Sequence, residues 1–157
     1  MTIEKLVYQP IDISDYTVTL LSKEEYEKNR HLINVIDDCW WLRSRGYGVI
    51  NAMFVDGALG DVNDRGCNVF TMLGVRPALK IAYCEQLKPG EKIKVKELYF
   101  TVLNNGILLC DSIVSKIMFN DKINDYGTSY IKKWLENWFN NKCRDQEFNN
   151  GFWSEWF

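Results

Sequence analysis

Between Asp56 and Gly66 the chain gathers four side chains with the hard oxygen donors that calcium takes: Asp56, Asp61, Asn63 and Asp64. The order Asp61-x-Asn63-Asp64-x-Gly66 has a loose likeness to a calcium loop, but the distal bidentate Glu is missing, and no metal is expected. Thiols are the next chemistry. The five cysteines, Cys39, Cys67, Cys84, Cys110 and Cys143, stand far apart with no C-x-x-C pair, and His31 is the only histidine. Structural zinc needs closely paired Cys and His ligands, so it is not expected, and the thiols read as reduced in a cytosolic setting. A nucleophile and base would have to include His31, which has no motif around it, and no glycine-rich phosphate loop precedes a helix. The chain is therefore expected to be no enzyme and to use no cofactor. Arg43 and Arg76 read in one of two ways. Each is either a structural arginine whose fork bonds loop carbonyls or a carboxylate, or an anion site.

Binding chemistry remains, and residues 45–73 carry it. Gly46, Gly48, Gly57, Gly60, Gly66 and the closing Gly74 are six of the ten glycines, set among Asn and Asp. Such chain is turn-rich, because these residues tolerate positive φ. Its apolar residues argue against disorder, so it reads as a long, ordered, surface-displayed loop region on a rigid base. Tyr47, Ile50, Asn51, Asp56, Asp61, Asn63, Asp64, Arg65, Asn68 and Phe70 are the candidate contacts for a protein or glycan ligand. Aromatics there supply rigid contact area, and small polar residues supply adaptable hydrogen bonds. Met53, Val55 and Leu59 alternate inward if Phe54 points out.

Apolar elements must hold this region. Trp40-Trp41-Leu42 reads as core before it, and Val75 to Ile81 as a closing strand after it, bulged or unpaired at Pro77. Within it, Asp56-Gly57 predicts a hairpin with a tight type I′ turn. Upstream, Tyr16 to Leu21 reads as a strand, and Ser22 with Glu25 as a capping box on a short helix over 23–29. Downstream, residues 93–95, 98–103 and 107–110 read as strands, the last two joined by a hairpin turn at Asn104-Asn105-Gly106. Residues 111–119 fit either a helix or a strand. Ile131, Trp134, Leu135, Trp138 and Phe139 share one face of a helix that begins at Thr128 or Ser129.

The 157 residues fit one α+β domain over 1–157. Residues 1–15 form an extended lead-in, 82–92 a connector, and 141–157 an aromatic tail expected to dock. A net charge of −2 without a basic patch gives no nucleic-acid surface. No run is apolar enough for a membrane span, and the first residues do not read as a signal peptide. Oligomeric state is not encoded in any motif.

Trp40-Trp41-Leu42-Arg43-Ser44, a glycine-rich stretch, and then Gly74-Val75-Arg76-Pro77-Ala78-Leu79 together resemble a known pattern. It is that of bacterial and phage domains of the C-type-lectin-like fold, related to the formylglycine-generating-enzyme superfamily. Arg45 stands where that family usually has proline. Leu20 to Tyr26 is similar to the segment preceding the first motif. Residues 92–109 and 126–137 are similar to the family's opening hairpin and first helix, which usually come earlier, so the halves read as circularly permuted. The resemblance implies a C-type-lectin-like scaffold of short antiparallel sheets, two helices and a long loop. It also implies a function. In diversity-generating retroelements such a fold often displays variable residues between motifs like these two, and residues 45–73 occupy that slot. The pair of active-site cysteines used by formylglycine-generating enzymes has no counterpart here; Cys67 and Cys84 are the nearest candidates. The Glu-Pro-Asn and Trp-Asn-Asp signatures of calcium-dependent lectins are also absent. A second function class fits the same features: a small phage or mobile-element protein that blocks a host enzyme or defence complex. A third is a virion component oligomerising through residues 148–157. The expected location is the cytoplasm or a phage particle.

Overall fold

The computed structural model describes residues 15–81 and 87–144. These described residues form an α+β structure of two five-stranded sheets and two α-helices. The described part opens with β1 (Thr17–Thr19) and the helix α1 (Lys23–Asn29). Ser22 caps α1 by accepting from the Glu25 amide at 3.1 Å, while the Glu25 carboxylate accepts from the Ser22 amide at 2.9 Å. The helix stops at a 3-10 turn, Arg30–Leu32, where helical spacing of apolar residues is lost.

Strands β2 (Trp40–Arg45), β3 (Asn51–Val55) and β4 (Val62–Asn68) form an antiparallel meander. With β5 (Leu73–Val75) and β10 (Ser115–Ile117) they build one sheet, ordered β10-β5-β2-β3-β4. Among the described strands only the β2–β5 contact, Trp40 opposite Gly74, is parallel. The other sheet takes β1, β6 (Ala78–Lys80), β7 (Lys92–Val95), β8 (Leu98–Val102) and β9 (Ile107–Cys110), ordered β1-β6-β9-β8-β7. Each sheet thus draws strands from both halves of the chain. The helix α2 (Tyr130–Phe139) starts at the Ser129 cap and packs along β1, burying Ile131, Leu135 and Phe139.

Successive residues of a strand point to opposite faces, and here both faces are covered. Trp41 enters one apolar cluster, with Phe100, Phe119, Ile131 and Leu135; its neighbours Trp40 and Leu42 enter another, with Tyr26, Ile33 and Val55. The same alternation splits Ala78 from Leu79 on β6 and Leu108 from Leu109 on β9. That is why these strands read as unbroken apolar runs. The Trp41 indole N–H donates to the Ile117 carbonyl at 2.9 Å, which removes the polar penalty of burying it.

Two expectations change, and one open reading is decided. Residues 45–73 are not one long loop, since β3 and β4 run through them. Their aromatic and β-branched residues find ladder partners, β3 on β2 and β4 on β3. Residues 75–81 are not one bulged strand either. The chain crosses between sheets at Arg76-Pro77, with β5 in one and β6 in the other, because Pro77 has no amide to continue a ladder. Residues 111–119, open to either reading, form β10 at Ser115–Ile117. The predicted helix over 23–29, its capping box, and the helix starting at Ser129 are as expected. The connector is shorter than 82–92, because Lys92 already belongs to β7. The lead-in before residue 15 and the tail beyond residue 144 lie outside the described residues.

Candidate functional site

The β3–β4 hairpin carries seven of the ten candidate contacts, Tyr47, Ile50 and Phe70 lie just outside it, and the ten are spread over its two ends. At one end lies the β3–β4 connection, Asp56 to Asp61. It is not the two-residue turn expected at Asp56-Gly57. Six residues close it, with the Asp56 amide donating to the Asp61 carbonyl at 2.8 Å and the Gly60 amide to the Asp56 carbonyl at 2.6 Å. Gly60 takes the left-handed φ of 74°, not Gly57. Gly57 is needed for another reason, since a Cβ there would lie 2.0 Å from the Asp38 carbonyl oxygen.

The oxygen-bearing side chains at this end are at least partly exposed, and each is engaged by a partner of its own chain. Asp61 accepts from Arg30 at 2.6 Å, and Asp64 pairs with Lys23 at 3.2 Å. Asp56 accepts from the Ala58 amide at 3.0 Å and Asn63 from the Gly66 amide at 3.0 Å. Tyr26 donates to the Gly60 carbonyl. The four oxygen donors therefore diverge, each held by its own partner, and no group of three His, Cys, Asp or Glu among the described residues is placed to hold a metal. Leu59, expected to turn inward, is 67% exposed, because its turn projects past the sheet. Phe54 does not point out but packs against the cluster of Trp41, while Met53 packs against that of Trp40. A register shift between Ala52 and Phe54 breaks strict alternation, so Ala52 and Val55 are the fully buried pair.

The other end holds Tyr47, Ile50, Asn51, Arg65, Asn68 and Phe70. Its three segments are bonded to one another. Val69, fully buried, donates to the Ile50 carbonyl at 2.8 Å and accepts from the Phe119 amide at 2.9 Å. The Tyr47 amide donates to the Arg65 carbonyl at 2.8 Å, and the Arg65 guanidinium lies 5.3 Å from the Tyr47 ring centre. Asn124, also buried, donates its amide to the Val49 carbonyl at 2.8 Å and its side chain to the carbonyls of Gly48 and Asn51 at 3.0 and 2.8 Å. Out of this fixed backbone stand Tyr47 at 69% exposure, Ile50 at 41% and Phe70 at 51%. Val49, Met72 and Ile123 stand exposed beside them. No family model, curated protein or solved structure matches the chain.

The framing arginines serve the scaffold. Arg43 makes a fork to Glu25 at 2.7 and 3.1 Å and donates to the Leu20 carbonyl. Arg76 is buried under the Trp40 ring, 4.8 Å from its centre, and donates to the Cys110 carbonyl at 2.8 Å and to both oxygens of Asn34. Burial pulls this guanidinium down to about 10, so it stays charged at neutral pH and pins the crossing between sheets. Burial also pushes the Cys143 thiol up to about 12 and the Cys110 thiol upward, away from a reactive thiolate. Cys84 lies outside the described residues. Among those described, no helix is long and apolar enough to cross a membrane.

Sequence reasoning missed Val49, Met72, Ile123 and Asn124. The first two were visible as apolar residues in turn-rich chain. Ile123 and Asn124 left no such signal, because only the tertiary fold brings residues 120–124 against the β2–β3 loop.

Proposed function

We propose that this protein is a non-enzymatic ligand-binding domain that displays its partner surface at the β2–β3 end of the hairpin. One observation carries the reading: Tyr47, Ile50 and Phe70 are exposed on a backbone whose carbonyls are tied down by Val69, Asn124 and Phe119. A solvated loop without function has no need of large apolar side chains on a rigid frame, whereas a binding surface gains from both. The face combines aromatic anchors with Asn51, Asn68 and Arg65, a composition suited to recognition.

The scaffold is proposed to be of the C-type-lectin-like kind, with its halves permuted. The support is positional. The end of α2 and the start of β1 border one cleft, lined by Thr17, Val18, Glu136, Phe139 and Asn140. A short join there would restore the element order of the family that the motifs resemble. In that family the slot between the motifs is where retroelements diversify a binding surface, and the same role is proposed for residues 45–73.

Comparison of this locus across close strains tests the proposal. Substitutions concentrated at exposed positions such as Tyr47, Ile50, Asn68 and Phe70, with Trp40–Ser44 and Gly74–Leu79 unchanged, are expected of a diversified binder. Even spread along the chain sinks diversification. A constant face leaves a binder of one fixed partner, as an inhibitor of a host enzyme or defence complex would be.

A further inference from the structure

We propose that the binding face extends beyond residues 45–73 onto the turn at 121–123, and that it takes a protein partner presenting an apolar ridge flanked by carboxylates. The inference rests on the reading above and names the chemistry of its ligand. The third segment enters through two bonded junctions. The Asn120 side chain closes its own turn by donating to the Ile123 carbonyl at 2.8 Å, and Asn124 then clamps Gly48, Val49 and Asn51. Ile123, 45% exposed, is thereby set next to Val49, and Lys122 beside it is exposed. The face thus offers Tyr47, Val49, Ile50, Phe70 and Ile123 as exposed apolar side chains on segments bonded to one another but far apart in sequence.

The charges around this surface select the partner. Arg45 is matched by Asp125 at 3.5 Å. Arg65 lies over Tyr47 with no carboxylate paired to it among the described residues, and Lys122 likewise has none. Asp121 is the one acid among residues 121–123. An excess of cations at this rim, on a chain of net charge −2, is a local reversal of sign. A guanidinium stacked on an exposed ring is held in place, and it bonds a carboxylate through two donors without losing much further freedom. A neutral sugar accepts hydrogen bonds from Arg65 and Lys122 but brings no charge to match theirs, whereas an acidic side chain next to an aromatic or aliphatic one satisfies both the ring and the cation.

The test is selection of random dodecapeptides displayed on phage against the intact protein. Tyr47→Ser, Ile123→Ser, Arg65→Glu and Lys122→Glu serve as variants, and Leu59→Ser, at the far end of the hairpin, as control. Each variant is first checked for unchanged thermal unfolding. The expected result is enrichment of peptides with Asp or Glu adjacent to Trp, Phe, Leu or Ile. Their affinity should fall about tenfold or more on Arg65→Glu or Ile123→Ser, fall with added salt, and stay unchanged on Leu59→Ser. Peptides that need Tyr47 but show no acidic enrichment and ignore Arg65→Glu and Lys122→Glu overturn this inference and leave the binding face standing. Peptides indifferent to Ile123→Ser and Lys122→Glu remove the third segment from it. Binders untouched by Tyr47→Ser, or no binders at all, overturn the face itself. A sugar captured from a glycan array and lost on Tyr47→Ser overturns the protein partner.

Discussion

Glu25 shows how much one side chain can join. It caps α1 and accepts from Arg43 on β2 and Lys80 on β6, so it ties a helix to both sheets. Burial alone would raise its carboxyl, but the bonds from Arg43, Lys80 and the Ser22 amide hold it down at about 2. The folded value lies below the unfolded one of about 4.3, so the stabilisation is present above that value and disappears as pH falls towards 2. Its carboxylate is one-fifth exposed, and solvent screening reduces the contribution to about 1 to 2 kcal/mol. Glu25→Gln is expected to lower stability by that amount at pH 7, with the gap to the parent closing between about pH 4 and 2. Urea unfolding across that range checks it. Lys96 is a second residue with a local consequence. It opens the β7–β8 turn at a left-handed φ of 58°, a strained position for any side chain with a Cβ. Lys96→Gly is expected to raise stability by about 0.5 to 1 kcal/mol, read as a higher urea midpoint at unchanged slope. The capping box was visible from Ser22 and Glu25 alone, because it spans three residues. The Arg43 and Lys80 partners were not, because they arrive from elsewhere in the fold.

At the scale of elements, the β2–β3–β4 meander is what turns a glycine-rich stretch into a rigid surface. Its far end is locked to the segment before β2 through Gly57, whose Cα approaches the Asp38 backbone too closely for a Cβ. Gly57→Ala is expected to destabilise by about 3 kcal/mol, since backbone rather than a flexible side chain would have to yield. Thermal unfolding reads this directly. Its near end is clamped by Asn124. Asn124→Ala removes two hydrogen bonds and leaves the Gly48 and Asn51 carbonyls without them, a loss of about 1 to 3 kcal/mol. Amide exchange should quicken in residues 46–51, while the amides of β8 and β9 keep their protection until global unfolding. The dipeptide Asp56-Gly57 predicted a turn correctly and its type wrongly. Turn propensity is local, but the contact with Asp38 chose which glycine would take positive φ.

For the whole molecule, both sheets mix strands from the two halves, and the chain crosses from one sheet to the other at Arg76-Pro77. The exit of α2 and the entry of β1 border one cleft of about 280 Å³. A permuted chain that begins at residue 87, joins residues 157 and 1 by a short linker, and ends at residue 81 is therefore expected to fold. It should keep the circular dichroism spectrum and the near-ultraviolet tryptophan signals of Trp40 and Trp41, with unfolding within several degrees of the parent. Loss of cooperative unfolding would show that the 82–92 connection holds the sheets together and would count against a permuted scaffold.

Local order was written in the chain. Short, unbroken apolar runs set β8 and β9, helical spacing set α2, and Ser22 and Ser129 set the helix starts, because each depends on neighbours within a few residues. Trp40 and Trp41 were legible as core from their size. Which of them faces which cluster required both sheets to be in place, since each side of β2 is covered by different elements. The candidate site was legible as a stretch but not as a surface. Strand pairing drove Asp56, Asp61, Asn63 and Asp64 to one end, where their own chain engages them, and Tyr47, Ile50, Arg65 and Phe70 to the other. It also brought in Ile123 and Asn124, from more than fifty residues away in sequence. Sequence spacing fixes what a residue can do with its near neighbours; only the closing of the two sheets decides which distant residues share a face.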